Sequence, residues 1–255
     1  MYDDTVQIFT DASKEPAGKT GVAVYIPKYN VIIQKRTSNH LSIFSAEMMA
    51  IIMALQWVEE VKPYKSVICS DSMSSLTSIQ TGKSACRQDL LDEVHQMIFR
   101  ITQQKLILQF TWVPAHTGIE GNERADELAK EALKAEQVEV QVPLSKSELK
   151  TIIKDGIHKL WQDKWDKGEK GRHLYSIQQN VTVKMISSLS RQEETWFTRL
   201  RLGHTGLNSG LHTIGKHETG LCEICEVSET VEHVLMHCRR YNVERKELKE
   251  ELNSI

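Results

Sequence analysis

Four acidic residues in the first half of the chain stand where several carboxylates can meet at one site. They are Asp11 at the end of the first predicted strand, Glu47 in the first turn of a long predicted helix, Asp71 directly after the fourth strand, and Asp126 one turn into a later helix. Carboxylates brought together repel and raise each other's pKa values, and bound cations reverse that penalty. Because Mg²⁺ prefers carboxylate and water oxygens, the four acids predict a divalent-metal site.

Each of these acids also has a purely local interpretation. Asp11 could form a turn, and Asp71 could cap the helix that follows it. Glu47 could complement a helix dipole, and Asp126 could pair with Lys130 on a solvated helix face. The occurrence of all four in one sequence, on elements that can converge, favours the shared site.

A second group of potential metal ligands lies near the end of the chain. Of the five cysteines, three crowd together with two histidines: Cys222, Cys225, His233, His237 and Cys238. Three thiolates and one imidazole form a common tetrahedral zinc set, so the spacing predicts structural Zn²⁺ at Cys222, Cys225, His233 and Cys238. His237 lies three residues beyond His233 and could replace Cys238; the spacing permits either.

The elements that must position these residues follow from the hydrophobic pattern. Alternating residues predict three strands over 6–10, 22–26 and 31–33, joined by short turns as an antiparallel meander. A helix is predicted from about Ser45 to Val61, where apolar residues recur at helical spacing before Pro63. Further along come a strand at 67–69, helices at 72–79 and 88–102, a strand at 106–113, and a helix capped by Asn122.

Three strands followed by alternating helices and strands predict an α/β fold, a mixed five-stranded sheet with helices on its faces. This domain is expected over residues 1–136. A linker is predicted over 137–147, a mostly helical region over 148–205 and a Cys/His zinc-binding tail over 206–255.

Several motifs around the four acids carry a specific resemblance. They are Thr10-Asp11-Ala12-Ser13, Ser45-Ala46-Glu47, Ser70-Asp71-Ser72 and the run Trp112-Val113-Pro114-Ala115-His116-Thr117-Gly118-Ile119-Glu120-Gly121-Asn122-Glu123-Arg124-Ala125-Asp126. Together they resemble the ribonuclease H family over residues 5–135. The last motif is most similar to ribonuclease H domains attached to reverse transcriptases of non-LTR retrotransposons.

The resemblance implies endonucleolytic hydrolysis of the RNA strand of an RNA–DNA hybrid by two Mg²⁺ ions, for which Mn²⁺ is a possible substitute. Two such ions about 4 Å apart can activate a water molecule and stabilise the leaving oxyanion. By resemblance, Asp11 bridges both ions, Glu47 and Asp71 sit on one, and Asp126 on the other. His116 matches a mobile histidine that assists proton transfer or product departure; the alternative is an ordinary surface-loop histidine.

Two features depart from the family pattern. Many ribonucleases H have Asn residues just before the helix Glu, in contact with the hybrid, whereas this chain has Ser42-Ile43-Phe44-Ser45. No basic insertion that could grip the hybrid is evident between Gly82 and Leu106. Side-chain contacts to the hybrid at these places are therefore not carried over.

The stretch Arg199-Leu200-Arg201-Leu202-Gly203-His204-Thr205-Gly206-Leu207 and the Cys/His cluster resemble the tail of non-LTR retrotransposon polyproteins. This resemblance implies removal of template RNA after reverse transcription, beside a reverse transcriptase supplied by the same polyprotein. The chain is then expected to be either a fragment of such a polyprotein or a free-standing descendant.

Two other functions remain open at this point. A catalytically silent nucleic-acid or protein-binding module could keep the same fold, although the four intact acids argue against it. A DNA integrase or resolvase shares the superfamily fold, although the loop from His116 to Asn122 favours ribonuclease H.

Composition adds few limits. The net charge of −2 gives no overall basic field, so it neither supports nor excludes a nucleic-acid partner. No run of about 18 apolar residues is present, and no membrane span is expected. The first residues lack the pattern of a secretory signal, so we expect an intracellular protein in the nucleus, the cytoplasm or both.

Overall fold

The computed structural model describes residues 5–182 and 190–252, and the chain divides into two compact units. The first unit comprises Met1–Lys154 and the second Asp155–Ile255.

The first unit contains the predicted mixed five-stranded sheet. Its strands are β1 (Val6–Lys14), β2 (Thr20–Ile26), β3 (Val31–Thr37), β4 (Lys65–Ser70) and β5 (Ile107–Trp112), in the order β3-β2-β1-β4-β5. The first three strands pair antiparallel, as the meander prediction requires, and β4 runs parallel to both β1 and β5.

Helices cover the two faces of this sheet. They are α1 (Ile43–Val61), α2 (Met73–Thr81), α3 (Gln88–Gln103) and α4 (Glu120–Ala132). Successive side chains of a strand point to opposite faces, so Ile8 joins the core beneath α1, whereas Phe9 packs against Ala125 of α4. Helix α1 is nearly all apolar and is buried along almost its whole length, as expected for a helix in the centre of a core.

One predicted helix boundary is wrong, because α4 begins at Glu120 rather than at Asn122. The residue at the N-cap position is Ile119, and Asn122 already lies within the first turn of the helix. Gly121 allows this early start: a Cβ there would lie 2.3 Å from the ring of Phe9. The side chain of Asn122 is thereby free to turn towards the acidic residues.

Residues 137–147, the predicted linker, lie within the first unit and pair with the edge of the sheet. Val140 forms a parallel bridge with Thr37, and the backbone N–H of Glu139 donates to the carbonyl of Arg36 at 2.8 Å. Val142 is buried in the same core as α1. Helix α5 (Lys146–Lys167) follows and crosses the division between the two units.

The second unit is mostly helical, with a Cys/His cluster near its end, as predicted. Its helices after α5 are α6 (Arg172–Ile177), α7 (Arg191–Leu202), α8 (Asn208–Thr213) and α9 (Asn242–Leu252). Ser190 and Glu193 form a reciprocal capping box at the start of α7, and Gly203 ends it in a left-handed conformation. In the part of the chain that the structure describes, no helix is long and apolar enough to span a bilayer.

Candidate metal centres

Three of the four predicted acids meet at one end of the sheet. One carboxylate oxygen each from Asp11, Glu47 and Asp71 lies within 4.8 Å of the others. The parallel pairing of β1 with β4 places Thr10 opposite Ser70, so the next residue of each strand emerges at the same point. Asp11 lies inside β1, which continues to Lys14, so it is not a turn residue.

Burial makes this cluster electrostatically unfavourable without a cation. Asp11 is 5% exposed and Glu47 is 6% exposed. Burial, and next the charges of Asp71 and Asp126, raise the pKa of Asp11 to about 8. Burial, and next the charge of Asp11, raise the pKa of Glu47 well above its usual range. Each raised pKa reflects the free-energy cost of ionising a buried carboxyl group beside other negative charges.

One carboxylate oxygen of this cluster is available to bind a cation. Among the described residues, the buried Oε2 of Glu47 has no hydrogen-bond partner. A buried carboxylate oxygen without a donor is costly, and a divalent cation would satisfy it. The donor set of three carboxylates also suits Mg²⁺ or Mn²⁺, so these residues fit a hard divalent ion.

Asp126, the fourth predicted acid, lies near this cluster without belonging to the group of three. Its Oδ2 accepts a hydrogen bond from Lys130 Nζ at 2.6 Å, one helical turn further along α4. The local pairing considered for Asp126 is therefore present. Its charge still acts on Asp11, and the Asp126 side chain is 21% exposed.

Asn122 joins the acidic site, although the sequence indicated only a helix cap. Its Nδ2 donates to Asp71 Oδ2 at 3.2 Å, and the residue is 2% exposed. The indole N–H of Trp112 donates to the carbonyl of Asp71 at 3.1 Å. Asn122 precedes Asp126 by four residues in α4, and that spacing places both on one helix face. The same spacing in the sequence could have identified it.

His116 lies in the exposed loop before α4. Its backbone is left-handed, with φ of 54°, and Gly118 nearby has φ of 83°. The N–H of Gly118 donates to Glu123 Oε1 at 2.8 Å, which ties the loop to the start of the helix. The structure does not bring His116 into the group of three acids.

The second centre gathers the predicted cysteines and histidine. Cys222, Cys225, His233 and Cys238 each offer one ligand atom, and these atoms lie within 4.8 Å of one another. His237 is exposed and lies outside this group. Of the two residues that the spacing allowed as the fourth ligand, the structure brings Cys238 into the cluster.

The distances between the sulfur atoms fit tetrahedral zinc. The Sγ atom of Cys238 lies 3.8 Å from that of Cys222 and 4.0 Å from that of Cys225. A metal–sulfur distance of about 2.3 Å in a tetrahedron places sulfurs about 3.8 Å apart. Among the described residues, the buried Nε2 of His233 has no hydrogen-bond partner, which leaves it available as a ligand.

Backbone groups prepare this cluster for a cation. Backbone hydrogen bonds from Ile224 and then Cys225 lower the pKa of Cys222 to about 6, towards the thiolate that binds metal. On the other side, Arg245 donates to the carbonyls of Val234, Leu235 and Cys238. This arginine holds the turn between the last two ligands, and nothing in the sequence pattern indicated it.

Comparisons with known proteins place the first unit. Residues 3–134, just over half of the chain, match the family model for RNase H. A Pol polyprotein from the R1 2 retrotransposable element of Nasonia vitripennis is 30% identical over 44% of this chain and 26% of its own length. The Pol polyprotein of Equine infectious anemia virus (strain Wyoming) is 33% identical over 49% of this chain and 10% of its own length.

Among solved structures, RNase H1 from Halobacterium salinarum NRC-1 is similar with 20% identity and a TM-score of 0.40, over 51% of this chain and 97% of that one. The chain thus spans about a quarter or less of the length of the Pol polyproteins that it matches.

Proposed function

The chain belongs to the RNase H family, and from that premise we propose that its first unit hydrolyses the RNA strand of RNA–DNA hybrids endonucleolytically, with two divalent cations. One observation carries this proposal: Asp11, Glu47 and Asp71 converge within 4.8 Å although burial and mutual repulsion oppose their charges. Such an arrangement is unfavourable in a structural role and useful in a metal-dependent one.

The acids divide into two ligand sets. Asp11 with Glu47 and Asp71 would hold one ion, and Asp11 with Asp126 would hold the other, as the family resemblance implies. Bound at these residues, Mg²⁺ or Mn²⁺ would supply activation of a water molecule and would offset the negative charge on the leaving oxygen. Asn122 orients the Asp71 carboxylate through its 3.2 Å hydrogen bond and so limits the directions in which Asp71 can bind.

Two basic groups complete the proposed site. Lys130 forms an ion pair with Asp126. A metal ion bound at Asp126 would replace Lys130 as its positive partner. His116 stands on an exposed loop, and it would carry a proton to or from the reacting phosphate.

For the second unit we propose a structural zinc ion on Cys222, Cys225, His233 and Cys238. The sulfur–sulfur distances, the lowered pKa of Cys222 and the unpartnered His233 nitrogen support it. A closed set of four protein ligands leaves no position for substrate, which is typical of structural sites.

The matched Pol polyproteins suggest where this activity is used. We infer that the chain acts beside a reverse transcriptase of the same polyprotein and removes template RNA after DNA synthesis. The support is the resemblance to retrotransposon and retroviral Pol proteins.

A specificity assay tests the proposed substrate. The full chain is incubated with Mg²⁺ and a labelled RNA–DNA hybrid, and in parallel with RNA–RNA and DNA–DNA duplexes of the same sequence. We expect fragments only from the RNA strand of the hybrid. Cutting of the DNA duplex would instead indicate an integrase-like or resolvase-like nuclease.

The alternative is a catalytically silent module that binds nucleic acid or protein. The ion pair between Asp126 and Lys130 favours it, because this acid would have to give up an existing positive partner to bind a metal ion. Tight hybrid binding without fragments in Mg²⁺ or Mn²⁺ would support this alternative.

A further inference from the structure

A buried carboxylate from outside the matched family region caps the helix that carries Glu47. Glu148 is 5% exposed, and its Oε1 accepts hydrogen bonds from the backbone N–H of Ser42 at 2.6 Å and from Ser45 Oγ at 2.7 Å. Its Oε2 accepts from the N–H and Oγ of Ser145, at 2.7 and 2.9 Å. Ser42 is the N-cap of α1, and Ser45 lies two residues before Glu47.

A buried arginine completes this network. Arg87 is 1% exposed, and its Nη1 donates to Ser45 Oγ at 3.0 Å and lies 3.6 Å from Glu148 Oε2. Its Nε and Nη2 are held by both carboxylate oxygens of Asp89, at 2.9 and 2.8 Å. These contacts fix the orientation and the position of the guanidinium between α1 and the start of α5.

The network stabilises the charges of Glu148 and Arg87, although burial usually disfavours ionised side chains. Burial alone would raise the pKa of Glu148, but hydrogen bonds from Ser42, Ser45 and Ser145 lower it to about 2, so the carboxylate stays ionised. A negative charge at the N-terminus of α1 is also favoured by the helix dipole. Removing one member would leave another buried group unsatisfied.

Glu148 lies outside the part of the chain that matches the RNase H family model. The family model matches residues 3–134, so Glu148 comes from the segment that follows the matched region. That segment is attached to the first unit at three earlier points: Glu139 on Arg36, Val140 on Thr37, and Val142 in the core. The segment thus reaches the first turn of α1 along a defined path.

From this geometry we propose that Glu148 is a positioning residue for the acidic site: it fixes the first turn of α1 and thereby aims Glu47 at Asp11 and Asp71. This inference rests on the proposed function, because it concerns the same metal-binding acids. It also gives Ser42 and Ser45 a structural task, since both hydroxyls and the Ser42 amide are engaged within the protein. These residues stand where many family members place hybrid-contacting Asn side chains.

The test measures cation binding in the full chain with and without the Glu148 charge. Binding of Mn²⁺ is followed by electron paramagnetic resonance for the wild type and for Glu148→Gln, which keeps the size of the side chain. We expect Mn²⁺ binding to weaken about tenfold, the low end of the range for outer-shell partners. Cleavage should show a raised Mg²⁺ requirement while kcat at saturating Mg²⁺ stays within about twofold, a split that a general loss of stability would not give.

Glu139→Gln is the matched control. Glu139 lies in the same segment, and its side chain accepts hydrogen bonds from Arg36 N and Lys35 Nζ of β3. Mn²⁺ binding should be unchanged in this variant. Equal weakening in both variants, or no weakening in either, would overturn the positioning role.

A second variant protects the test from misfolding. If Glu148→Gln does not fold, Ser45→Ala can be used instead, because it removes the hydroxyl between Glu148 and Arg87 with little change of volume. This variant should also weaken Mn²⁺ binding, and unchanged binding would overturn the inference. Since binding is read without cleavage, a wild type that binds Mn²⁺ but cuts no hybrid would count against the proposed function alone. A wild type that binds no Mn²⁺ would overturn both.

Discussion

The two units of this chain surround their candidate metal sites in opposite ways. In the first unit the acids sit on a fold that is already complete: α1 and the strands build a continuous apolar core that contains no ligand atom of the acidic site. In the described part of the second unit, the buried apolar side chains are Cys222, Val231 and Cys238. Two of these three are candidate zinc ligands, so the cluster itself takes the place of a core.

The pKa shifts of the candidate ligands also differ between the two sites. Burial, then neighbouring negative charge, raises the pKa of Asp11 to about 8, so protons and cations compete for the acidic site. Backbone hydrogen bonds lower the pKa of Cys222 to about 6 and favour its thiolate, whereas burial raises the pKa of Cys238. On the proposed function, the first site would bind exchangeable catalytic ions and the second a structural ion.

The largest expected effect is the loss of the second unit's fold on zinc removal. Structural zinc sites contribute on the order of 10 kcal/mol to folding, and few buried apolar side chains are present here to replace that contribution. We expect a chelator, or Cys225→Ser, to abolish amide protection over the second unit while the first unit keeps it, as measured by hydrogen exchange. Cys86→Ser, at an exposed cysteine outside the cluster, is the control and should change nothing.

Amide protection that persists in the second unit without metal would contradict the claim that this unit needs zinc in order to fold. Metal analysis of the untreated protein should give about one zinc per chain if the cluster is filled.

A smaller effect is expected from pH on cation binding by the first unit. With the pKa of Asp11 at about 8, a cation must displace a proton below that pH. Affinity for Mn²⁺ should therefore fall by at least about tenfold for each pH unit below 8, because Glu47, whose pKa burial also raises, can hold a second proton that the cation must displace. Calorimetric titrations at three pH values would measure this dependence, and a flat profile would contradict the repulsion that we assign to the acids.

The smallest effects are expected at two exposed histidines, one in each unit. His116→Ala should slow turnover without abolishing it and without changing hybrid affinity, because a proton-transfer group aids the reaction more than binding. His237→Ala, the matched substitution in the second unit, should change neither turnover nor zinc content, since Cys238 occupies the fourth position of the cluster. Single-turnover kinetics separate the two variants, and a loss of zinc in His237→Ala would reassign the fourth ligand.

Local patterns in the sequence were sufficient to predict the sheet and most helices, and they identified the residues that the structure gathers in the two clusters. Alternation in the first strands and helical spacing in α1 fix which faces are buried, and parallel strand ends bring Asp11 and Asp71 together. The same reasoning placed the cysteines, since ligand spacing is itself a local property. The choice between His237 and Cys238 needed the observed path of the turn after His233.

Interactions across long sequence separations could not be read in this way. Arg87 follows an exposed cysteine in a short loop, and nothing local distinguishes it from a solvated arginine. Its burial depends on Ser45 and Glu148, which are distant in the chain. Residues 137–147 read as extended and polar enough for a linker, but Thr37 and the core beneath β3 give them partners.

Catalytic competence of the acidic site is the central claim, and a comparison of the wild type with Asp71→Asn tests it most directly. Both proteins are mixed with an RNA–DNA hybrid labelled on each strand, and hybrid binding and strand cleavage are measured in Mg²⁺. We predict that the wild type cuts only the RNA, and that the variant binds the hybrid, keeps its fold and loses cleavage by at least about 1,000-fold, as expected when a ligand of the catalytic ions is lost. Equal cleavage by the two proteins, or binding without cleavage by the wild type, would contradict the account.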